Sequence, residues 1–264
     1  MSRTSRRAPD RTENGLGLFG PRTITNFDDF QALFGSWDGC FQQLSRGNFT
    51  GLVQSVQTVD ANAFRAFTNQ SMFTRGADEG THAAFFPVTS KNENTLWRGK
   101  RLQNETILIK PSNLEFYNKT QRNTEIVCLS VEPSNLESSF LDLTNVDFKF
   151  RFDLWHSIHV PSERFQKFNN SLIHFLSEAE HSDDLPYLNA ISQNCIRYLT
   201  DALIDHYQPN YDETSSSMRD LSLINRAIDF MHGHLSEPIT AADLCRTLGT
   251  SDRTLRRLFL EHYN

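Results

Sequence analysis

The sequence predicts an α+β protein: an antiparallel β-rich N-terminal domain, a helical hairpin behind it, and a C-terminal helix-turn-helix. Three observations predict this. Short apolar or alternating runs, broken by Gly, Asn, Asp, Pro and Ser, fill residues 27–160. From Ser162 the apolar period changes to three- and four-residue steps. A polar stretch without apolar period, 210–217, then separates the hairpin from a last set of helical segments. A chain of 264 residues suffices for two domains and a sizeable core.

Residues 1–26 read as a disordered polar tail. Its arginines are followed by no apolar run, so it is not a secretory leader. The segment 28–44 begins with a short helix. Strands are expected at 49–59, 63–73, 83–88, 105–110 and 125–131, with a shorter one at 114–117. Breaks at 76–80, 91–94, 111–113 and 133–134 carry turn chemistry. Many short strands with few helical patterns between them imply an antiparallel sandwich or barrel.

Residues 161–209 read as two helices. Phe165, Phe168, Leu172, Phe175, Leu176 and Ala179 make one apolar face, and a second helix from about Pro186 carries Leu188, Ile191, Cys195, Tyr198, Leu199, Ala202 and Leu203. Such a pair packs either on the β domain or on a second copy of itself, which leaves both relay and homodimerisation open.

Charge and composition exclude several classes. The net charge of -6 gives no bulk attraction to nucleic acid, although a small reader can carry local basic charge. Cys40, Cys128, Cys195 and Cys245 form no C-x-x-C pair, so they read as separate, mostly buried thiols of a reducing cytosol. No apolar run reaches the roughly 20 residues of a membrane helix. A cytoplasmic protein with no membrane partner is expected. G-x-S-x-G, G-x-x-x-x-G-K-[ST] and a strand-borne G-x-G-x-x-G are all missing. His82 stands alone, His156 and His159 lack a completing carboxylate, and His232 and His234 flank Gly233 at a helix end. No catalytic residue, cofactor or metal site is therefore expected, and a metal-dependent enzyme is the least favoured class.

The last segments, 218–235, 240–248 and 251 onward, read as helices. Thr240 with Asp243 nearly matches a capping box. Gly249 ends one helix and Ser251 can cap the next. Leu255, Leu258 and Phe259 form the buried stripe of the last helix, while Arg253, Arg256 and Arg257 share its exposed face within two turns. In a helix-turn-helix this is where side chains reach base edges, and arginine can bind O6 and N7 of guanine together. A solvated basic face would show the same spacing, and 219–264 holds equal numbers of Arg and of Asp plus Glu.

The run PITAADLCRTLGTSDRTLRRLF resembles the first helix-turn-helix of AraC/XylS transcription regulators, through Pro238, Ile239, Thr240, Asp243, Leu244, Leu248, Gly249, Ser251, Arg253, Leu255, Arg256 and Phe259. The preceding helix with Ala227, Ile228, Phe230 and Met231 fits that family's pattern. The resemblance implies that Ser251, Arg253, Thr254, Arg256 and Arg257 meet double-stranded promoter or operator DNA. Cys245 stands where the family usually has alanine, and Thr250 where a larger apolar residue is common. Family members continue into a second helix-turn-helix, so 218–264 reads as an incomplete, truncated reader. A weaker resemblance of QLSRGNFTGLVQSV and WHSIHVPSERF to the sensor half of such regulators, including the ethanolamine-regulator branch, implies a cupin-like domain over 27–160 that binds a small-molecule effector. Phe73, Arg75, Phe86 and Trp97 are the candidate effector residues, with core packing or plain surface as their competing roles. The alternative function is a ligand-binding or interaction module with a non-functional truncated reader.

Overall fold

The structure, a computed structural model, describes residues 19–34, 38–77, 82–97, 100–110, 116–149, 156–206, 223–224, 226–227, 230–231, 234 and 238–263. The chain divides into two compact units, one of residues 1–152 with 156–205 and one of 153–155 with 206–264. The β domain and the helical hairpin thus belong to one unit. The 210–217 linker lies outside the described residues.

The first unit carries two antiparallel sheets. The larger runs β1 (Phe19–Ile24), β3 (Gly51–Gln57), β4 (Ala61–Thr68), β11 (Thr124–Val131), β6 (Ala83–Val88), β9 (Thr106–Lys110), β12 (His156–His159). The smaller runs β2 (Asp38–Gln43), β5 (Met72–Ala77), β10 (Phe116–Lys119), β7 (Leu96–Trp97), β8 (Lys100–Arg101). The expected strand over 63–73 is two strands. At the corner between them the Thr68 hydroxyl donates to the Gln70 carbonyl (3.1 Å) and Asn69 Oδ1 accepts from Thr50 N–H (2.7 Å). These local bonds satisfy the backbone where the chain leaves one sheet for the other.

Residues 19–24, read with the tail, form edge strand β1 instead. Its register shifts between Phe19 and Arg22, across Pro21. A proline lacks the ladder N–H and is tolerated at an edge bulge. Ile24 then turns into a cluster with Phe30, Phe34, Phe49 and Val53. The short helix expected in 28–44 is α1 (Phe27–Ala32), capped by Asn26 Oδ1, which accepts from Asp28 N–H at 2.8 Å.

The turn expected at 133–134 is the start of α2 (Pro133–Thr144). Proline suits the first helical position because its missing N–H has no intrahelical partner there. Leu136 and Phe140, one turn apart, are fully buried, and Asn145 closes the helix at φ 57°.

The hairpin helices are α3 (Ser162–Glu178) and α4 (Leu185–Leu203). Phe165, Phe168, Leu172, Phe175 and Leu176 of α3 are buried, as are Leu188, Ile191, Cys195, Leu199, Ala202 and Leu203 of α4, whereas Tyr198, on the rim of that face, is exposed and keeps its polar end in water. Each such aliphatic or aromatic side chain gains about 1.5–3 kcal/mol on leaving water, enough to hold the pair against the sheet. Of the two packings open to it, the hairpin takes the larger sheet. Gln54 Nε2 donates to Leu176 O (2.6 Å) and Thr58 donates to Ser192 Oγ (3.0 Å).

Central strands of the larger sheet are therefore covered on both faces. Leu129, Val131, Phe85 and Ile107 have no more than 1% of their surface exposed. Glu125 of β11 is also buried, beside α3. Its carboxylate accepts from Arg65 Nε (2.8 Å) and pairs with Lys91. Burial alone would raise its pKa, but the hydrogen bonds and charges of Lys91 and Arg65 outweigh that and hold the carboxyl below the ordinary range.

In the second unit, residues 223–224, 226–227 and 230–231 are helical, followed by α5 (Ala241–Leu248) and α6 (Asp252–Tyr263). Ile224 packs with Leu258, and Ala227 with Leu248 and Leu255, all buried. Three short helices close a small core through one stripe from each.

Candidate functional site

Local bonds fix the geometry of the second unit. Thr240 accepts from Asp243 N–H (3.2 Å), and Asp243 Oδ2 accepts from Thr240 N–H (3.0 Å), a complete capping box. The Thr240 hydroxyl, donating to Asp243 Oδ2 (2.5 Å), together with the Thr240 N–H, holds the Asp243 carboxyl below its usual pKa. At the other end of α5, Gly249 adopts φ 64°, and Thr250 N–H donates back to Cys245 O (3.0 Å). That six-to-one bond is the Schellman ending, which needs a left-handed residue. Two residues later Ser251 opens α6. Its carbonyl accepts from Leu255 N–H (3.0 Å) and its hydroxyl oxygen from Thr254 N–H (3.1 Å).

With about 100° per residue, Arg253, Arg256 and Arg257 fall within one arc of roughly 100°, opposite Leu255 and Leu258. Burial agrees: the two leucines are at most 5% exposed, and all three arginines are exposed. Ser251 is exposed and Thr254 half-buried, with their hydroxyls 2.8 Å apart. Arg256 Nε donates to Asp252 Oδ2 at 2.7 Å. This pair is solvent-exposed and of the kind worth under about 1 kcal/mol, so it yields readily to a stronger anion. Leu260, 58% exposed, shares the arginine arc, a position missed in the sequence because it lies one step outside the buried stripe. The arrangement can present three guanidinium groups, a free helix N-terminus and one apolar tip to a groove.

The first unit holds a second candidate site, a cavity of about 120 Å³ between the inner faces of its two sheets. Aromatic rings dominate the wall. Phe34 stacks near Phe41 (5.0 Å) and meets Phe64 edge-on (5.6 Å). Of the candidate effector residues, Phe86 and Trp97 line the cavity, their rings 4.9 Å apart. Phe73 and Arg75 do not. Their neighbours Met72 and Thr74 line it, and strand alternation turns Phe73 and Arg75 to the opposite face.

Two polar residues of the wall carry no recognisable motif. Lys110 ends β9 only 3% exposed, with Nζ 5.8 Å from the Phe116 ring centre. Asn118 of β10 is 4% exposed, and its Oδ1 has no hydrogen-bond partner. Strand parity was the available signal: Phe116 and Asn118 share a face, as do Met72 and Thr74.

Other sequence-predicted groups stay apart. His82 is half-buried, His159 exposed, and His232 lies outside the described residues. His234 Nδ1 sits 2.8 Å from Phe230 O, with its ring stacked on that phenylalanine. Among the described residues, no three His, Cys, Asp or Glu side chains gather as a metal site. Among the same residues, no helix is long and apolar enough to cross a membrane.

No family model and no curated protein matches the chain. Among solved structures it is similar to the AraC-like transcriptional activator CuxR, with a TM-score of 0.48, 11% identity, and 91% of this chain and 89% of that chain covered. It is also similar to ToxT from Vibrio cholerae, with a TM-score of 0.32, 14% identity, and 81% and 76% covered. A further likeness is to ToxT of the same species with an unsaturated fatty acid bound, at a TM-score of 0.29, 11% identity, and 84% and 76% covered.

Proposed function

We propose that the chain is a sequence-specific DNA-binding transcription regulator of AraC/XylS type, responsive to a small molecule held in the β unit. The observation that carries this reading is the α5–α6 geometry. A capping box, a left-handed glycine and a serine cap hold α6 with Arg253, Arg256 and Arg257 on one exposed arc and Leu255 and Leu258 beneath it. In a helix-turn-helix, that arc enters the major groove. Arg253, in the first turn, stands closest to where base edges are read. Arg256 and Arg257 supply either a further base contact or phosphate contacts. Ser251 and the helix N-terminus suit a phosphate, and Leu260 suits a thymine methyl. The cavity would bias the reader only by favouring one arrangement of the chain over another when filled.

Fluorescence anisotropy of the full chain tests the proposal, using the duplex upstream of its own gene and a scrambled duplex of equal composition. Tighter binding to the upstream duplex is expected. Equal binding to both, or none at micromolar protein, would remove the reader and leave a ligand-binding module.

A further inference from the structure

The cavity between the sheets combines a small, bounded volume with one buried acceptor that has no donor. Its volume of about 120 Å³ is close to that of engineered apolar cavities, about 150 Å³, that take up benzene, so one ring fits. The walls offer rings: Phe86 and Trp97 on one side, Phe116 beside them with its centre 6.5 Å from Trp97. Most hydroxyls of the wall are already engaged. Thr68 donates to Gln70 O, Thr124 to Gln121 O, and Thr120 Oγ1 accepts from Met72 N–H. The carbonyl oxygen of Asn118 is different, being buried with no donor. A buried acceptor left unsatisfied is costly, and a ligand donor removes that cost.

The apolar wall narrows the class of donor. A cationic amine would have to leave water for a site lined mostly by rings, which costs far more than one hydrogen bond returns. A carboxylate has no proton to donate to the Asn118 oxygen. An amide brings several further groups needing partners. A hydroxyl brings a single donor, which one buried acceptor can satisfy.

We propose that the cavity binds a one-ring hydroxy compound of the phenol class, its O–H donated to Asn118 Oδ1 and its ring against Phe86, Trp97 and Phe116. This deepens, and rests on, the reading of the β unit as an effector site. The test is titration calorimetry of the full chain with phenol, toluene and benzoate as probes, with DNA anisotropy run on the same protein. Phenol is expected to bind roughly tenfold more tightly than toluene, the worth of one buried hydrogen bond. Asn118→Leu is expected to bring the two level. The phenol–toluene comparison on the unaltered chain stands even if that variant fails to fold. Toluene binding as tightly as phenol, or benzoate binding more tightly, would overturn the hydroxyl assignment and leave the effector site in place. Binding of none of the three would overturn the assignment outright, and the anisotropy would then decide separately whether the chain reads DNA.

Discussion

Replacing Gly249 with alanine isolates the backbone geometry that aims α6. A Cβ built at Gly249 meets nothing within 4 Å, so no steric clash contributes. What remains is φ +64°, where an L-residue costs roughly 1–2 kcal/mol relative to glycine. Against this, alanine narrows the unfolded chain and returns about 0.4–1 kcal/mol. The net expectation for Gly249→Ala is a loss of about 1 kcal/mol. Gly249→Asn should lose less, because asparagine tolerates the left-handed region. The loss is local to the second unit, so native-state hydrogen exchange on the full chain is the suitable assay. The amides of Leu255 and Leu258 should exchange about fivefold faster in Gly249→Ala, while those of Val127 and Leu129 in the β unit stay unchanged. Unchanged protection of Leu255 and Leu258, or asparagine proving costlier than alanine, would refute the Schellman geometry and with it the placement of the arginine arc.

The remaining predictions concern the first unit. Glu125 has its folded pKa lowered below the ordinary 4.5, so its ion pairs add stability that is present above that value and lost as pH falls through the folded value. Urea midpoints should therefore show Glu125→Gln weakest relative to the parent chain near neutral pH, with the gap shrinking in acid; a gap independent of pH would contradict the pairing. The Cys195 thiol is pushed up to about 11 by burial, against a smaller opposing effect of its hydrogen bond with Ser171. Cys40 is exposed. A thiol-reactive dye should label Cys40 in the native chain and reach Cys128 and Cys195 only after unfolding; rapid native labelling of Cys195 would refute its placement.

Much of the fold was legible where period and burial coincide. The steps of three and four from Phe165 to Leu176 predict α3 because one helix face is wholly buried. Gly249 and Ser251 mark the second unit's turn because each occupies a position whose backbone demands that residue type. Elements were missed where the buried face is thin. In α2 only Leu136 and Phe140 are buried, and the opening proline resembles a turn as much as a first helical residue. Of residues 20–24 in β1 only Ile24 is buried, so the strand reads as part of the tail. The split of 63–73 into β4 and β5 depends on side-chain bonds of Asn69 and Thr68 that composition does not announce.

The two candidate sites differ in the same way. The arginine arc lies on one helix, so its geometry follows from spacing alone. The cavity gathers residues from two sheets, and Lys110 of the larger sheet comes beside Phe116 of the smaller one only once the two sheets face each other. Phe73 and Arg75 show the converse: one step of strand parity removes a residue from the wall, and sequence proximity to Met72 and Thr74 does not reveal which way the step falls.

The most direct test of the central claim, that α6 reads DNA through its arginine face, is a salt series of anisotropy titrations on the upstream duplex. It compares the parent chain with a variant carrying Arg253→Ala, Arg256→Ala and Arg257→Ala. The account predicts that the variant loses its preference for the upstream duplex. Its plot of log affinity against log salt should also be shallower by roughly one for each arginine that meets a phosphate. A variant that keeps both the parent affinity and the parent salt slope would contradict it.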